Sequence, residues 1–274
     1  MVKGTLGIIG CPILEDELVY SLKNDPEPKK IFLVDTPPAR TLKRKLELFK
    51  IAFTLVDEWD FNNGFIETDR DGYNVIIVMN KLCLHKEPKI LKEALEEQLM
   101  QQHSRFDAIA MYYGMCGNAQ WDVSDWASKT FRTPVFVFRD DEEEVIDDCI
   151  GVAVGGHSRY CDFVRKHTGM FFVTPAIAEN WDDFIGELGF TKGFEIMGIN
   201  TSREVFELFG YKKAVKIDTG IGIKGEELER QYRHFSEDTG LEFISAKTEP
   251  TNLYPTERLY KDAKTALNTE RVKH

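Results

Sequence analysis

The chain has 274 residues, 42% of them hydrophobic and 30% charged, and a net charge of -11. That length can bury a substantial core, the composition is that of a soluble globular protein, and the acidic balance without a Lys/Arg stripe argues against a nucleic-acid partner. No apolar run approaches the roughly 20 residues of a membrane span, and MVKGTLGIIG lacks a signal-peptide layout, so a cytoplasmic protein without a membrane partner is expected.

Strand-like and helix-like runs alternate along the chain. Leu6 to Gly10 reads as a strand and is followed by a helical pattern from Glu15 to Leu22. Ile31 to Asp35 leads to a helix around Arg40 to Lys50, whose lysines read as a solvated face. Val75 to Met79 passes through Cys83-Leu84-His85 to a helix from Pro88 to about Gln101, with proline suited to the first turn. Ala108 to Tyr112, Val135 to Phe138 and Phe171 to Thr174 are further strands, each followed by helical pattern. Ala214 to Asp218 and Leu241 to Ala246 come last, with an amphipathic helix from Gly225 to Thr239 between them. The expected fold is α/β, a mostly parallel sheet with helices on both faces built from repeated strand-helix units. Residues 1–250 read as a single domain with a possible subdivision near 190, and 251–274 as a C-terminal helical tail. A homo-oligomer is the general expectation for such a chain.

The five cysteines are odd in number and irregularly spaced, so they do not form a disulfide scaffold. They are buried small hydrophobes, redox thiols or metal ligands. Cys11 follows one strand, Cys83 and His85 another, and Cys116 a third, while Cys149 lies beyond a fourth in Asp147-Asp148-Cys149-Ile150. In a parallel sheet the carboxyl ends of neighbouring strands converge, so these groups can share a pocket without a CxxC motif. Thiolate, imidazole and carboxylate together suit zinc or another transition metal. Gly114 and Gly117 bracket Met115 and Cys116 in a turn that a packing thiol would not need. Tyr113, Asn118 and Arg159 would line the pocket, and Asp147 and Asp148 abut Cys149 as possible partners of a ligand. Cys161, within a helical run, reads as packing, and His103, His157, His167, His234 and His274 as surface residues. Ser158 is a candidate helix N-cap, and Asp218-Thr219-Gly220-Ile221-Gly222 resembles either a ligand-binding turn or an ordinary strand-to-helix turn. The acidic run from Asp140 to Glu144 reads as a solvated face or a helix N-terminus.

Taken in order, Cys11 with Glu17, Leu84-His85 with Pro88, Tyr113-Gly114-Met115-Cys116-Gly117-Asn118, Asp148-Cys149-Ile150, Gly156 with Arg159-Tyr160, Thr174-Pro175 and Asp218-Thr219-Gly220 resemble domain-of-unknown-function family 1638. The resemblance runs from about residue 5 to about residue 245. Members of that family occur in methanogens and other strict anaerobes, often encoded near corrinoid-dependent methyltransferases. The resemblance implies anaerobic one-carbon metabolism, with a corrinoid protein or methyltransferase as partner, corrinoid as a further cofactor, and Cys11, His85, Cys116 and Cys149 at the family's thiol and imidazole positions. Asp147 stands where the family has histidine before Asp-Cys, an acidic insertion separates Arg139 from Asp148, and the family's Gly-Asp-Trp ending is lacking. The expected function is a metal-binding component of corrinoid-linked methyl transfer to a thiol or similar acceptor. The alternatives are a non-catalytic metal or corrinoid carrier and an iron–sulfur protein, the last without ferredoxin-like cysteine spacing.

Overall fold

The structure, a computed structural model, describes residues 2–82, 87–118, 121–188, 191–192, 194–244 and 251–268. Among the described residues nine strands are defined: β1 (Gly4–Gly10), β2 (Lys30–Asp35), β3 (Thr54–Asp57), β4 (Tyr73–Met79), β5 (Ala108–Tyr112), β6 (Val135–Phe136), β7 (Phe171–Val173), β8 (Lys213–Lys216) and β9 (Glu242–Ile244). The helices are α1 (Glu15–Asn24), α2 (Arg40–Leu48), α3 (Glu58–Asn63), α4 (Pro88–Gln102), α5 (Val123–Thr130), α6 (Cys149–Val154), α7 (His157–Lys166), α8 (Pro175–Glu179), α9 (Trp181–Leu188), α10 (Ser202–Leu208), α11 (Glu226–Thr239) and α12 (Tyr254–Ala266). The expected α/β class holds. Six strands form one parallel sheet in the order β3-β2-β4-β1-β5-β6, and three form a second, β7-β8-β9, also parallel.

The central strands are buried on both faces, which is why they read as unbroken apolar runs. Successive side chains of a strand alternate between two cores. Ile9, Ile76, Val78, Ile109 and Met111 pack with Leu91, Leu95 and Leu99 of α4, while Leu6, Ile8, Val75, Ile77 and Ala110 pack with α1, α2 and α12. The first of these cores continues into the second sheet through Trp181, Phe206 and Phe235. From residue 254 the C-terminal segment is not a loose appendage, because Leu259, Tyr260 and Ala263 of α12 are buried in the second core.

Several expectations need correction. Edge strand β3 and helix α3 are absent from the sequence reading, because Thr54–Asp57 is largely exposed and carries only a two-residue apolar signal in Leu55-Val56. The Arg40–Lys50 region is not wholly a solvated face, for Lys45 is fully buried. Ser158 is not a cap: α7 starts at His157 after Gly156, and the distant Asp140 accepts the His157 N–H at 3.2 Å. Asp140 itself is buried and also accepts from Glu142 and Glu144, so only part of that acidic run is solvated. His167 is buried against Phe163, with ring centroids 4.7 Å apart. Cys161 is half-exposed rather than packed in the core, its Sγ 3.5 Å from His157 Nε2.

Candidate functional site

In the six-stranded sheet the chain leaves β1 toward β2 on one side, whereas after β4 it crosses β1 to reach β5 on the other. Adjacent strands with diverging exits make a crevice at their carboxyl ends, the usual ligand position in open α/β sheets. Cys11 stands there, one residue past β1. The ladder continues up to the thiol, since Cys11 N donates to Tyr112 O at 2.9 Å and Asn80 N to Gly10 O at 2.8 Å.

Cys116 reaches the same region from β5. Its φ is +47°, an uncommon conformation for a residue with a side chain, so the turn holds the thiol in a set orientation. Asp147 clasps that turn: its carbonyl accepts the Cys116 N–H at 2.5 Å, and its carboxylate accepts the Gly117 N–H at 3.1 Å. Gly114 is required for the approach, because a Cβ there would stand 2.9 Å from Asp148 Cα and 3.0 Å from Asp147 O. Asn118 spends its amide on Pro88 O at 2.7 Å and Met115 O at 3.1 Å.

Cys149 is the first residue of α6, with Asp148 as N-cap accepting the Gly151 N–H at 2.7 Å. Cys11 is buried, and Cys116 and Cys149 are half-buried. Burial is the main cause that pushes all three thiols above their ordinary range. The thiols also raise one another: Cys149 acts on Cys11, Cys11 on Cys116 and Cys116 on Cys149. Cys11 just past β1, Cys116 past β5 and Cys149 at the start of α6 thus act on one another electrostatically.

Among the described residues, no group of three or more His, Cys, Asp and Glu side chains is placed to hold an ion as it stands. His85 and Cys83 lie outside the described residues. Thiol and carboxylate are donors that suit a borderline-soft cation, and the buried Glu17 acts electrostatically on both Cys11 and Cys149. Glu17 Oε2 is buried without a hydrogen-bond partner. Burial, then the neighbouring Asp16, pushes its carboxyl up to about 8. Sequence reasoning missed Glu17 as a site residue because Glu15-Asp16-Glu17 opening a helix looks like a solvated first turn.

Glu15 and Asp16 belong to a second buried group. Lys45 Nζ lies 3.0 Å from Glu15 and 2.5 Å from both Asp16 and Glu179, and Arg44 reaches Glu179 at 2.6 Å. Burial alone would lower the Lys45 value, but Asp16, Glu15 and Glu179 reverse this and keep it above its ordinary range. Burial also pushes Glu15 up to about 7, with Lys45 opposing the shift. Glu15 Oε2 and Asp16 Oδ2 have no hydrogen-bond partner. This group joins the two sheets, since Asn180 after α8 donates to Glu15 at 3.0 Å.

The remaining predicted residues lie apart from the thiols or serve them indirectly. Tyr113 is fully buried and donates to Lys81 O at 3.5 Å. Arg159 is exposed on α7. Its neighbour Tyr160 is the one coupled to Asp148, and burial with that carboxylate pushes the phenol up to about 12. Asp218 lies at the carboxyl end of β8 on the second sheet, where its Oδ1 accepts the Gly220 N–H at 3.0 Å.

Residues 80–256 match the family described as Protein of unknown function (DUF1638), and the chain belongs to that family. The matched span starts well after Cys11, later than the resemblance suggested, and extends past residue 245. No curated protein and no solved structure matches the chain.

Proposed function

We propose that this member of the DUF1638 family holds zinc or another transition metal at Cys11, Cys116 and Cys149, with His85 as a further ligand. In this reading it serves corrinoid-linked methyl transfer to a thiol or similar acceptor in anaerobic one-carbon metabolism. What supports the reading is the electrostatic coupling of the three thiols with one another and of Cys11 and Cys149 with Glu17, whose Oε2 is buried without a hydrogen-bond partner. Burial disfavours every thiolate in that group, so a cation is the natural way to keep them ionised. A bound zinc-like ion would supply that charge and hold an acceptor thiol as the nucleophilic thiolate. The chain's own part is positional. Asp147 fixes the Cys116 turn, and Asp148 caps the helix that carries Cys149.

The test is metal content by inductively coupled plasma mass spectrometry on anaerobically purified protein, beside Cys116→Ser. About one equivalent of a transition metal in the parent chain, lost in the variant, is expected. No metal in either protein overturns the ligand assignment. Iron with visible absorbance moves the site to an iron–sulfur centre, and metal or corrinoid that passes to a partner without turnover makes the protein a carrier.

A further inference from the structure

The second sheet has a cleft of its own. It opens at the carboxyl ends of the parallel strands β7 to β9, beside the loop from β8 to α11, and has a volume of about 600 Å³. That volume lies within the usual range for small-molecule sites, roughly 300–1,000 Å³. The loop reads Asp218-Thr219-Gly220-Ile221-Gly222-Ile223-Lys224-Gly225, and Gly220, Gly222 and Gly225 have φ of +69°, +80° and +68°. At Gly220 and Gly225 no heavy atom lies within 4 Å of the place a Cβ would take, so the protein does not crowd the backbone there.

Loop, helix and strand each give the cleft an apolar wall, through Ile221, Leu228 and Phe243. Tyr232 also lines it. This residue is only 4% exposed, and among the described residues nothing hydrogen-bonds its hydroxyl. Asp218 and Glu229, the groups that act most on it after burial, line the same cleft. An open glycine loop after a strand and a tyrosine hydroxyl without a partner among the described residues thus meet in one cleft.

The charges narrow the ligand. The first turn of α11 carries Glu226, Glu227 and Glu229, which offset the positive end of the helix and disfavour a phosphate dianion. Lys216 is engaged already, 2.9 Å from Glu229 and 4.3 Å above the Tyr232 ring. Asp218 uses Oδ1 on Gly220 and leaves a carboxylate oxygen at the rim of the cleft to accept hydroxyl hydrogens. A carboxylate also accepts ribose hydroxyls in dinucleotide-binding parallel sheets, there about 20 residues past the glycine turn, whereas Asp218 opens the turn itself.

We propose that the Asp218–Gly225 cleft binds a nucleoside-type ligand, a flat heteroaromatic ring bearing a vicinal diol, without a phosphate. Asp218 accepts the diol, the Tyr232 hydroxyl meets a ring heteroatom, and Ile221, Leu228 and Phe243 cover the ring. The inference is independent of the metal reading. Isothermal titration calorimetry on the full chain, with the four common ribonucleosides, adenosine monophosphate and inorganic phosphate as probes, tests it. At least one nucleoside should bind saturably, more tightly than adenosine monophosphate, and phosphate should not bind. Asp218→Asn, which keeps the turn acceptor, and Tyr232→Phe should each weaken nucleoside binding about tenfold while the melting curve stays that of the parent. Absence of binding by all four nucleosides overturns the proposal, as does tighter binding of the phosphorylated probe or unchanged binding in both variants.

Discussion

Replacing Lys45 with methionine removes the counter-ion of the buried carboxylates while nearly keeping the side-chain volume. The lysine stands 3.0 Å from Glu15 and 2.5 Å from both Asp16 and Glu179, and all four side chains are buried to within 2%. Breaking a buried pair costs about 3–5 kcal/mol because the other charge is stranded. In this cluster a stranded carboxylate escapes by taking up a proton. From the ordinary glutamate value of 4.5, that uptake costs about 3.4 kcal/mol at pH 7 and about 0.7 kcal/mol at pH 5, at 1.36 kcal/mol per unit. The variant should therefore lose roughly 3 kcal/mol at pH 7 and recover most of it at pH 5. Urea unfolding of both metal-free proteins, followed by far-ultraviolet circular dichroism at the two pH values, measures this. A loss below about 1 kcal/mol at pH 7, or the same loss at both pH values, would refute the ion-pair account.

Other consequences concern the parent chain and the thiol turn. Glu15 is raised from 4.5 to about 7 and Glu17 from 4.5 to about 8, so between those values the folded protein keeps protons that the unfolded chain has released. Their stabilising contribution is complete below about pH 4.5 and is lost as pH rises through 7 and 8; a urea midpoint series should fall over that window, less steeply in Glu15→Gln. Gly114→Ala drives a methyl group into the backbone of Asp147 and Asp148 and should cost about 1–3 kcal/mol, read as a lower melting temperature; an unchanged melt would mean that the turn yields freely. Asp147→Ala frees the Gly117 N–H and loosens the Cys116 turn, so metal affinity should fall about 10–100-fold with a stability change near 1 kcal/mol. Competition with a chelator separates that outcome from a simple loss of fold.

Much of the site was legible because it lies on the strongest local pattern. The run Ala108 to Tyr112 is apolar on both faces, and Gly114 and Gly117 mark a turn that sets Cys116 apart from a packing thiol. The strand end that delivers Cys11 follows from the same alternation, whereas Cys149 lies at the start of α6, well past β6. Edge strand β3 was not legible, since one exposed strand beside a large sheet has little apolar signal of its own. The buried charges were hidden for a related reason. Lys45, Glu15, Asp16 and Glu17 look like any charged helix surface until another element covers them.

The sequence by itself determined the alternating strand-helix order, the parallel pairing of the strands and the place of Cys11 and Cys116 just past two of them, because backbone periodicity and glycine turns act over a few residues. Only the tertiary structure decided that the strands divide between two sheets and that a lysine and four carboxylates are buried near their junction. Those outcomes depend on which faces meet. Burial and charge pairing are properties of contacts between residues as far apart as Glu15 and Glu179, and no local pattern encodes them.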